Sequence, residues 1–103
     1  MENKNKEQQI QEISILEQNL QNLLFQNQAF QMEISETNAA LKEIQDSKEV
    51  FKIVGQLMIK SEPEKVKEEL LNKEKLLSLR IKSIENQESE MSKQLESLKK
   101  KVL

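Results

Sequence analysis

Residues 49–60 decide the fold, and they read Glu49-Val50-Phe51-Lys52-Ile53-Val54-Gly55-Gln56-Leu57-Met58-Ile59-Lys60. Apolar and β-branched residues flank a two-residue Gly55-Gln56 step, which predicts a β-hairpin with a primed turn and a positive φ at Gly55. A lone two-stranded hairpin is marginal in water, so we expect several subunits to join their hairpins into a larger sheet or barrel. The residues expected to make these oligomerisation contacts are Val50, Phe51, Ile53, Val54, Gly55, Leu57, Met58 and Ile59.

The rest of the chain has the composition of long helices. Of its 103 residues, 33% are charged and 3% are aromatic, and the single Gly and single Pro both lie within residues 49–63. Such a bias towards charged and unbranched residues is typical of coiled coils. We therefore expect one mostly α domain over residues 1–103, with helices at 7–48 and 62–102 around a hairpin at 49–60.

Both flanking segments carry the apolar repeat of an antiparallel coiled coil. In the first segment the 3-4 spacing falls on positions 13, 16, 20, 23, 27, 30, 34, 37, 41 and 44, which are apolar except for Asn27 and Thr37. In the second segment Leu70, Leu77, Ile84, Met91 and Leu98 recur every seven residues, with weaker companions at 67, 74, 81, 88, 95 and 102. The two seams match when Leu41 faces Leu70 and Ile13 faces Leu98. That register leaves two imperfect layers, Asn27 against Ile84 and Leu23 against Glu88.

The second helix has a marked start. Ser61-Glu62-Pro63-Glu64 predicts a capping box, with Ser61 as the N-cap residue and Glu64 reaching back to it. Pro63 fits the first helical turn, where its missing N–H has no intrahelical partner.

The composition argues against catalysis and against nucleic-acid binding. The chain has no His, Cys, Trp or Tyr, and its one Gly cannot form a phosphate-binding loop. Its net charge of −2 and its lack of stacking aromatics do not suit a phosphate backbone or single-stranded nucleic acid. We interpret the many Glu side chains as a solvated helix face, and expect no enzyme activity, cofactor or metal. Because no signal peptide or membrane span is recognisable, we also expect a cytoplasmic protein.

The two chain ends are richer in aliphatic residues than a coiled-coil seam requires. Completion of the seam would explain Ile13, Leu16, Leu20, Leu95 and Leu98, but not the others. Exposed apolar patches mark binding surfaces, and pliable Met and Leu suit varied partners. The candidate binding residues at this end, called the tip here, are Ile10, Ile13, Ile15, Leu16, Leu20, Leu24, Met91, Leu95, Leu98, Val102 and Leu103.

The basic run Lys99-Lys100-Lys101 has two interpretations. It could dock an acidic partner, or it could complement the negative end of the second helix dipole, which we favour. The seam register places Lys99 beside Glu12.

Three stretches of the sequence resemble the beta-type subunits of prefoldin. They are residues 32–41 (MEISETNAAL), 50–59 (VFKIVGQLMI) and 76–88 (LLSLRIKSIENQE), and the resemblance runs from about Gln8 to Lys101. The Val-Gly-Gln turn between two arms of equal length is its most specific part. Phe51 stands where such chains often carry Tyr, and Gln56 stands where Asn is frequent.

This resemblance implies a heterohexamer of two alpha-type and four beta-type subunits. The hairpins would form a β-barrel hub, and the helical arms would hang from it around a cavity. Members of the family bind unfolded polypeptides at the arm tips without ATP and pass them to a group II chaperonin. A single hairpin points to the beta type. The lack of long extensions resembles archaeal members, with eukaryotic beta-like subunits as the alternative.

The sequence alone is compatible with two other functions. A structural coiled coil could serve as a spacer, although a spacer has no use for an apolar hairpin. An adaptor whose arms bind one specific folded partner is the second alternative.

Overall fold

The computed structural model describes the backbone of residues 2–102 and the side chains of residues 5–102. Its elements, in chain order, are the helix α1 (Glu2–Ile44), the strands β1 (Val50–Val54) and β2 (Leu57–Ser61), and the helix α2 (Pro63–Val102). The predicted mostly α fold with one hairpin between two long helices is confirmed. Contacts divide the chain into a terminal unit (residues 2–29 and 81–102) and a central unit (Phe30–Arg80), which are described separately.

Helix α1 ends at Ile44, four residues before the predicted end at residue 48. The Ser47 N–H donates to the carbonyl of Ile44 (3.4 Å), and the Ser47 hydroxyl donates to the carbonyl of Glu43 (2.9 Å). A serine that satisfies the last helical carbonyls in this way competes with further helical turns. The helix also starts at Glu2 instead of residue 7, in a polar segment that carries no apolar repeat.

The capping box predicted at Ser61 is wrong. Ser61 belongs to strand β2 and pairs with Val50, and its hydroxyl donates to the carbonyl of Ile59 (3.3 Å). Glu62 precedes the helix and its carbonyl accepts the Val66 N–H (3.1 Å), so Glu62 is the N-cap residue. Pro63 is the first helical residue, as expected.

The apolar seams are confirmed by burial. Every seam position predicted on the two helices is buried or half-buried. The most buried seam residues are Thr37, Ile44 and Leu77 in the central unit and Ile81, Ile84 and Leu95 in the terminal unit. Thr37 is 3% exposed, and its hydroxyl donates to the carbonyl of Glu33 (2.8 Å). A polar seam position is therefore satisfied within its own helix, without a partner from α2.

In the terminal unit the two helix segments run antiparallel, because Glu17 is linked to Lys99 while Asn27 is linked to Glu88. The Asn27 side-chain amide donates to the Glu88 carboxylate at 3.3 Å. Asn27 and Glu88, the polar residues of the two imperfect layers in the predicted register, are therefore hydrogen-bonded to each other.

The predicted neighbour of Lys99 is wrong: its ammonium lies 3.6 Å from the carboxylate of Glu17, not beside Glu12. Helical side chains lean towards the N-terminus of their own helix. In an antiparallel pair this lean carries a lysine one turn past the level of its Cα, which accounts for the error.

In the central unit the helix segments are antiparallel as well. Glu33 forms an ion pair with Lys73 (3.6 Å), and the guanidinium of Arg80 lies over the ring of Phe30, 5.9 Å from its centroid. Both contacts lie at the surface, where such pairs contribute about 0.2–1 kcal/mol each. The packing of Ile44 and Leu77 therefore dominates the stability of this unit.

The hairpin has the predicted two-residue loop. Strand β1 pairs antiparallel with β2 so that Val54 faces Leu57 and Val50 faces Ser61, and Gly55 has φ +61°. Gln56 does not share the positive φ, since no non-glycine residue in the described part of the chain does. A positive φ at the first loop residue alone is the signature of the type II′ turn, one of the two primed turns.

Replacing Gly55 by alanine is expected to destabilise the hairpin by about 1–2 kcal/mol. An added Cβ would meet nothing within 4 Å, so the cost comes from the backbone conformation and not from a clash. Thermal unfolding followed by circular dichroism measures the change. Gln56→Ala is the matched control, because its φ suits any residue. Equal unfolding midpoints for the two variants would contradict the explanation.

Candidate functional site

The hairpin is an apolar surface that the rest of the described chain covers only in part. Its strand residues are exposed apart from the half-buried Val50 and Ser61 at its open end. Large side chains such as Ile53, Leu57 and Met58 are 68–69% exposed. Leaving so many apolar side chains in water is unfavourable. The hairpin therefore has the properties of an interface.

The strand register gives the hairpin two distinct faces. Directly opposed residues of antiparallel strands share a face, so Phe51, Ile53, Met58 and Lys60 share one face. Lys52 lies on the other face, and its ammonium contacts the Glu69 carboxylate of α2 at 2.9 Å. This contact identifies the Lys52 side as the one that faces the helices. On the other face, Ile53 and Met58 are 69% and 68% exposed.

A groove of about 460 Å³ runs beside the hairpin within the central unit. Its helical lining consists of the apolar Ala40, Ile44, Val66 and Leu70 together with Glu43. Its other wall is made by residues 49–53, while β2 contributes no residue to it. Only Ala40, an apolar residue off the seam, could have indicated this groove from the sequence.

The tip residues fall into three classes of exposure. Ile10, Ile15 and Leu24 lie off the seam and are 54%, 59% and 46% exposed. Leu95 is buried and therefore serves the coiled-coil core, whereas the remaining described residues of the set are half-buried in the seam: Ile13, Leu16, Leu20, Met91, Leu98 and Val102. Leu103 lies outside the described residues. The accessible apolar surface of the tip therefore depends mainly on the three off-seam residues.

Some of the tip residues line a shared groove of about 630 Å³ in the terminal unit. Ile15, Leu16 and Leu98 form its apolar lining, and Glu12, Lys93, Gln94 and Ser97 complete it. Ile10 and Leu24 do not belong to it. The four polar residues of the groove could not be identified from the sequence, because they occupy ordinary solvated helix positions.

The basic run at the end of α2 is partly neutralised within the terminal unit. Lys99 pairs with Glu17 (3.6 Å), and Lys100 pairs with Glu96 one turn earlier on the same helix (3.9 Å). Lys99, Lys100 and Lys101 all belong to the last turn of α2, where cations favour the helix dipole. This placement fits the structural interpretation of the run.

Neither a metal site nor a membrane span is found among the residues that the structure describes. These residues contain no group of three or more acidic, His or Cys side chains placed to hold a metal ion. Within the same residues, neither helix has an apolar stretch long enough to cross a membrane.

Two long helices joined through an exposed apolar hairpin define a coiled-coil protein whose hairpin is open to partners. The family model described as "Prefoldin subunit" matches residues 3–102 of this chain. The chain therefore belongs to the prefoldin family.

Two of its relatives are named as beta subunits. The prefoldin subunit beta of Thermococcus onnurineus is 35% identical over 89 residues, which cover 84% of this chain and 77% of the relative. That of Saccharolobus islandicus is 34% identical over 97 residues, covering 91% and 77% respectively.

The crystal structure of the prefoldin beta subunit from Thermococcus strain KS-1 superposes with a TM-score of 0.86. It is 29% identical, with 95% of this chain and 89% of that one covered. The resemblance to beta-type prefoldin subunits seen in the sequence is thus confirmed.

Proposed function

We propose that this chain is a beta-type subunit of an ATP-independent holdase, which captures unfolded polypeptides at its tip and delivers them to a group II chaperonin. Membership of the prefoldin family supports a chaperone role in general. The observation that carries the finer proposal is the exposure of Ile10, Ile15 and Leu24, which no seam contact explains.

The proposed assembly is a cytoplasmic heterohexamer of two alpha-type and four beta-type subunits. Its hub would be a β-barrel made of hairpins, which would bury side chains such as Ile53 and Met58 that the single chain leaves in water. Neither a nucleic acid nor a membrane is a proposed partner.

The tip would capture clients by burying their apolar side chains. Each side chain removed from water contributes up to about 1.5–3 kcal/mol, so one tip binds weakly. Several tips on one hub raise the effective concentration of binding sites and so hold a client firmly. Release then requires a competing acceptor and no nucleotide.

The triple variant Ile10→Ser, Ile15→Ser, Leu24→Ser tests the tip directly. Because these side chains are exposed, the fold should survive while the apolar surface is lost. We expect the assembled variant to lose most of its suppression of aggregation, measured by light scattering with several unrelated denatured proteins.

The matched control is Leu71→Ser, Leu76→Ser, Leu79→Ser, three exposed leucines of the central unit. Undiminished activity of the tip variant would refute the tip assignment. Activity of the wild-type complex on one client alone would favour the adaptor alternative.

Transfer is tested by adding a group II chaperonin without nucleotide to the client complex, and a client that stays bound would contradict delivery.

A further inference from the structure

In the terminal unit, the side of α1 opposite the seam carries a second line of regularly spaced residues, called the outer stripe here. It consists of Gln11, Ile15, Gln18, Asn22, Phe25 and Ala29. All six are exposed, and Ile15 and Phe25 are each 59% exposed. Alternating steps of three and four residues place side chains along one line of a helix. The outer stripe therefore has the spacing of a helix-packing seam, and α2 does not cover it.

Charge is absent from the outer stripe, although 33% of the chain is charged. Between Glu7 and Glu33, the only charged residues are Glu12 and Glu17. Glu17 pairs with Lys99 of α2, and Glu12 lines the groove of the terminal unit that Leu98 of α2 also lines. Both carboxylates are thus turned towards α2. The outward side of a coiled-coil helix is ordinarily charged, because it meets only water, so the neutral outer stripe calls for another explanation.

This neutrality restricts what can cover the outer stripe. The outward side of α2 in the same unit is exposed and carries Lys82, Glu90, Lys93, Glu96 and Lys100. Packed on the outer stripe, these groups would lose water without gaining ionic partners, which is costly. A second outer stripe brings no charge, and its amides both donate and accept hydrogen bonds. Within the described residues of the terminal unit, the matching surface is therefore the outer stripe of a second copy.

The order of residues in the outer stripe is symmetric about the level of Leu20. Its members lie two, five and nine residues on either side of Leu20. When two copies cross at this level in antiparallel order, Ile15 of one copy faces Phe25 of the other. Gln18 likewise faces Asn22. Apolar side chains thus meet apolar ones, and amides meet amides.

Electrostatics favours the antiparallel order over a parallel one. A parallel pair in register would place Glu12 and Glu17 at the levels of the same two residues of the other copy. The antiparallel order separates these like charges along the helix. It also brings the positive end of each helix dipole near the negative end of the other.

We infer that the outer stripe of α1 binds the outer stripe of a second copy of this chain in antiparallel order. The contact is isologous, with a two-fold axis at the level of Leu20. It covers about 27 Å of helix, which is short for a stable interface, so the pairing is weak and reversible.

The antiparallel order also states which copies meet, and this step rests on the proposed function. Arms that hang from one hub run in the same direction, so the contact joins arms of two separate assemblies. The contact covers Ile15, which is one of the three exposed residues proposed to capture clients. A client and a second assembly therefore compete for the same arm.

Cysteine cross-linking of the full-length chain tests the contact, because the chain has no Cys of its own. Gln11→Cys and Ala29→Cys place one thiol at each end of the outer stripe. With oxidised glutathione, an equimolar mixture should give mainly the mixed disulfide, identified by mass spectrometry, while each variant alone gives little. Lys82→Cys with Lys100→Cys is the control, since it has the same spacing on the outward side of α2 and should show no preference for the mixed product.

Two results of this experiment would overturn the inference. Disulfides formed by Gln11→Cys alone and by Ala29→Cys alone would show parallel arms. A yield of mixed disulfide no higher than that of the α2 control would show that the outer stripes do not meet. If holding activity is intact in that case, the pairing alone is overturned and the proposed function stands.

A charge on the outer stripe provides a second test. Phe25→Glu, added to both cysteine chains, places a carboxylate against Ile15 of the other copy and should weaken the pairing at least about tenfold. Leu24→Glu is the control, because Leu24 is exposed but lies outside the outer stripe. Circular dichroism confirms that both variants keep their helices. Equal yields of mixed disulfide for the two variants would overturn the role of the outer stripe.

Competition is tested by adding an excess of a denatured client protein to the mixture of cysteine chains. The yield of mixed disulfide should fall as the client occupies the arms. A yield that the client leaves unchanged, in a chain that does suppress aggregation, would overturn the competition. A chain that pairs but has no holding activity would instead overturn the proposed function and leave the antiparallel contact in place.

Discussion

Replacing Leu77 by alanine is expected to lower the free energy of unfolding by about 2–5 kcal/mol. Leu77 is 3% exposed and lies on the seam of the central unit. The substitution leaves a cavity between the helices in addition to the lost transfer energy, because neighbouring side chains on stiff helices relax only partly. Alanine is an excellent helix former, so the loss reports packing and not helix propensity.

Leu79→Ala is the matched control for this prediction. Leu79 belongs to the same helix, two residues away, and is 67% exposed. Denaturant unfolding of both variants, followed by circular dichroism, should give a change within about 0.5 kcal/mol for the control. Similar losses for the two leucines would mean that the seam does not carry the stability.

The paired substitution Ile53→Asp, Met58→Asp is expected to abolish assembly with other prefoldin subunits. The two residues are cross-strand neighbours on one face of the hairpin, and they are 69% and 68% exposed. Carboxylates at these positions cost little while the face is in water. If assembly buries the face without a cation beside it, the carboxylates raise the free energy of the assembled state by several kcal/mol. Association is then at least about 100-fold weaker.

Native mass spectrometry with an alpha-type subunit measures this loss. The control Leu76→Asp, Leu79→Asp adds the same charge at exposed leucines of α2 and should assemble normally. If the hairpin variant assembles as well as the control, this face lies outside the hub. Unchanged circular dichroism would show that the effect is on association and not on folding.

Much of the fold could be predicted from the sequence because its signals are periodic. Every position that the 3-4 spacing located, from Ile13 to Val102, is buried or half-buried, since burial in a coiled coil follows the repeat directly. The turn at Gly55 was equally clear, because a two-residue loop with a positive φ has few solutions.

The errors of the sequence-based prediction lie where two local structures compete for the same residues. Ser61 matched the capping pattern, but pairing with Val50 held it in the strand and moved the N-cap to Glu62. Ser47 ended α1 through bonds to the preceding turn, which residue preference alone does not reveal. The ion-pair partner of Lys99 depends on the direction in which its long side chain points along the helix. The predicted register matched residues only by the height of their Cα atoms and therefore missed it.

The residues of the candidate site were proposed from the sequence and stay a prediction, whereas the geometry of the site could not be predicted. The apolar excess at the tip and the hairpin can be seen in the sequence, whereas the grooves depend on how polar helix positions such as Ser97 and Glu43 are placed in three dimensions. Burial also separated Leu95, a core residue, from Ile15, an accessible one. Both are aliphatic residues near a chain end, so composition could not distinguish them.

The junctions on the two sides of the hairpin differ in length. Glu62 alone separates β2 from α2, whereas residues 45–49 separate α1 from β1. A tilt of the hairpin is therefore transmitted almost rigidly to α2. The longer segment is a more flexible connection, so α1 follows such a tilt less closely. Adding one residue at the short junction would rotate the whole apolar stripe of α2 by about 100°. Natural variation in the length of such chains should accordingly be found on the α1 side of the hairpin.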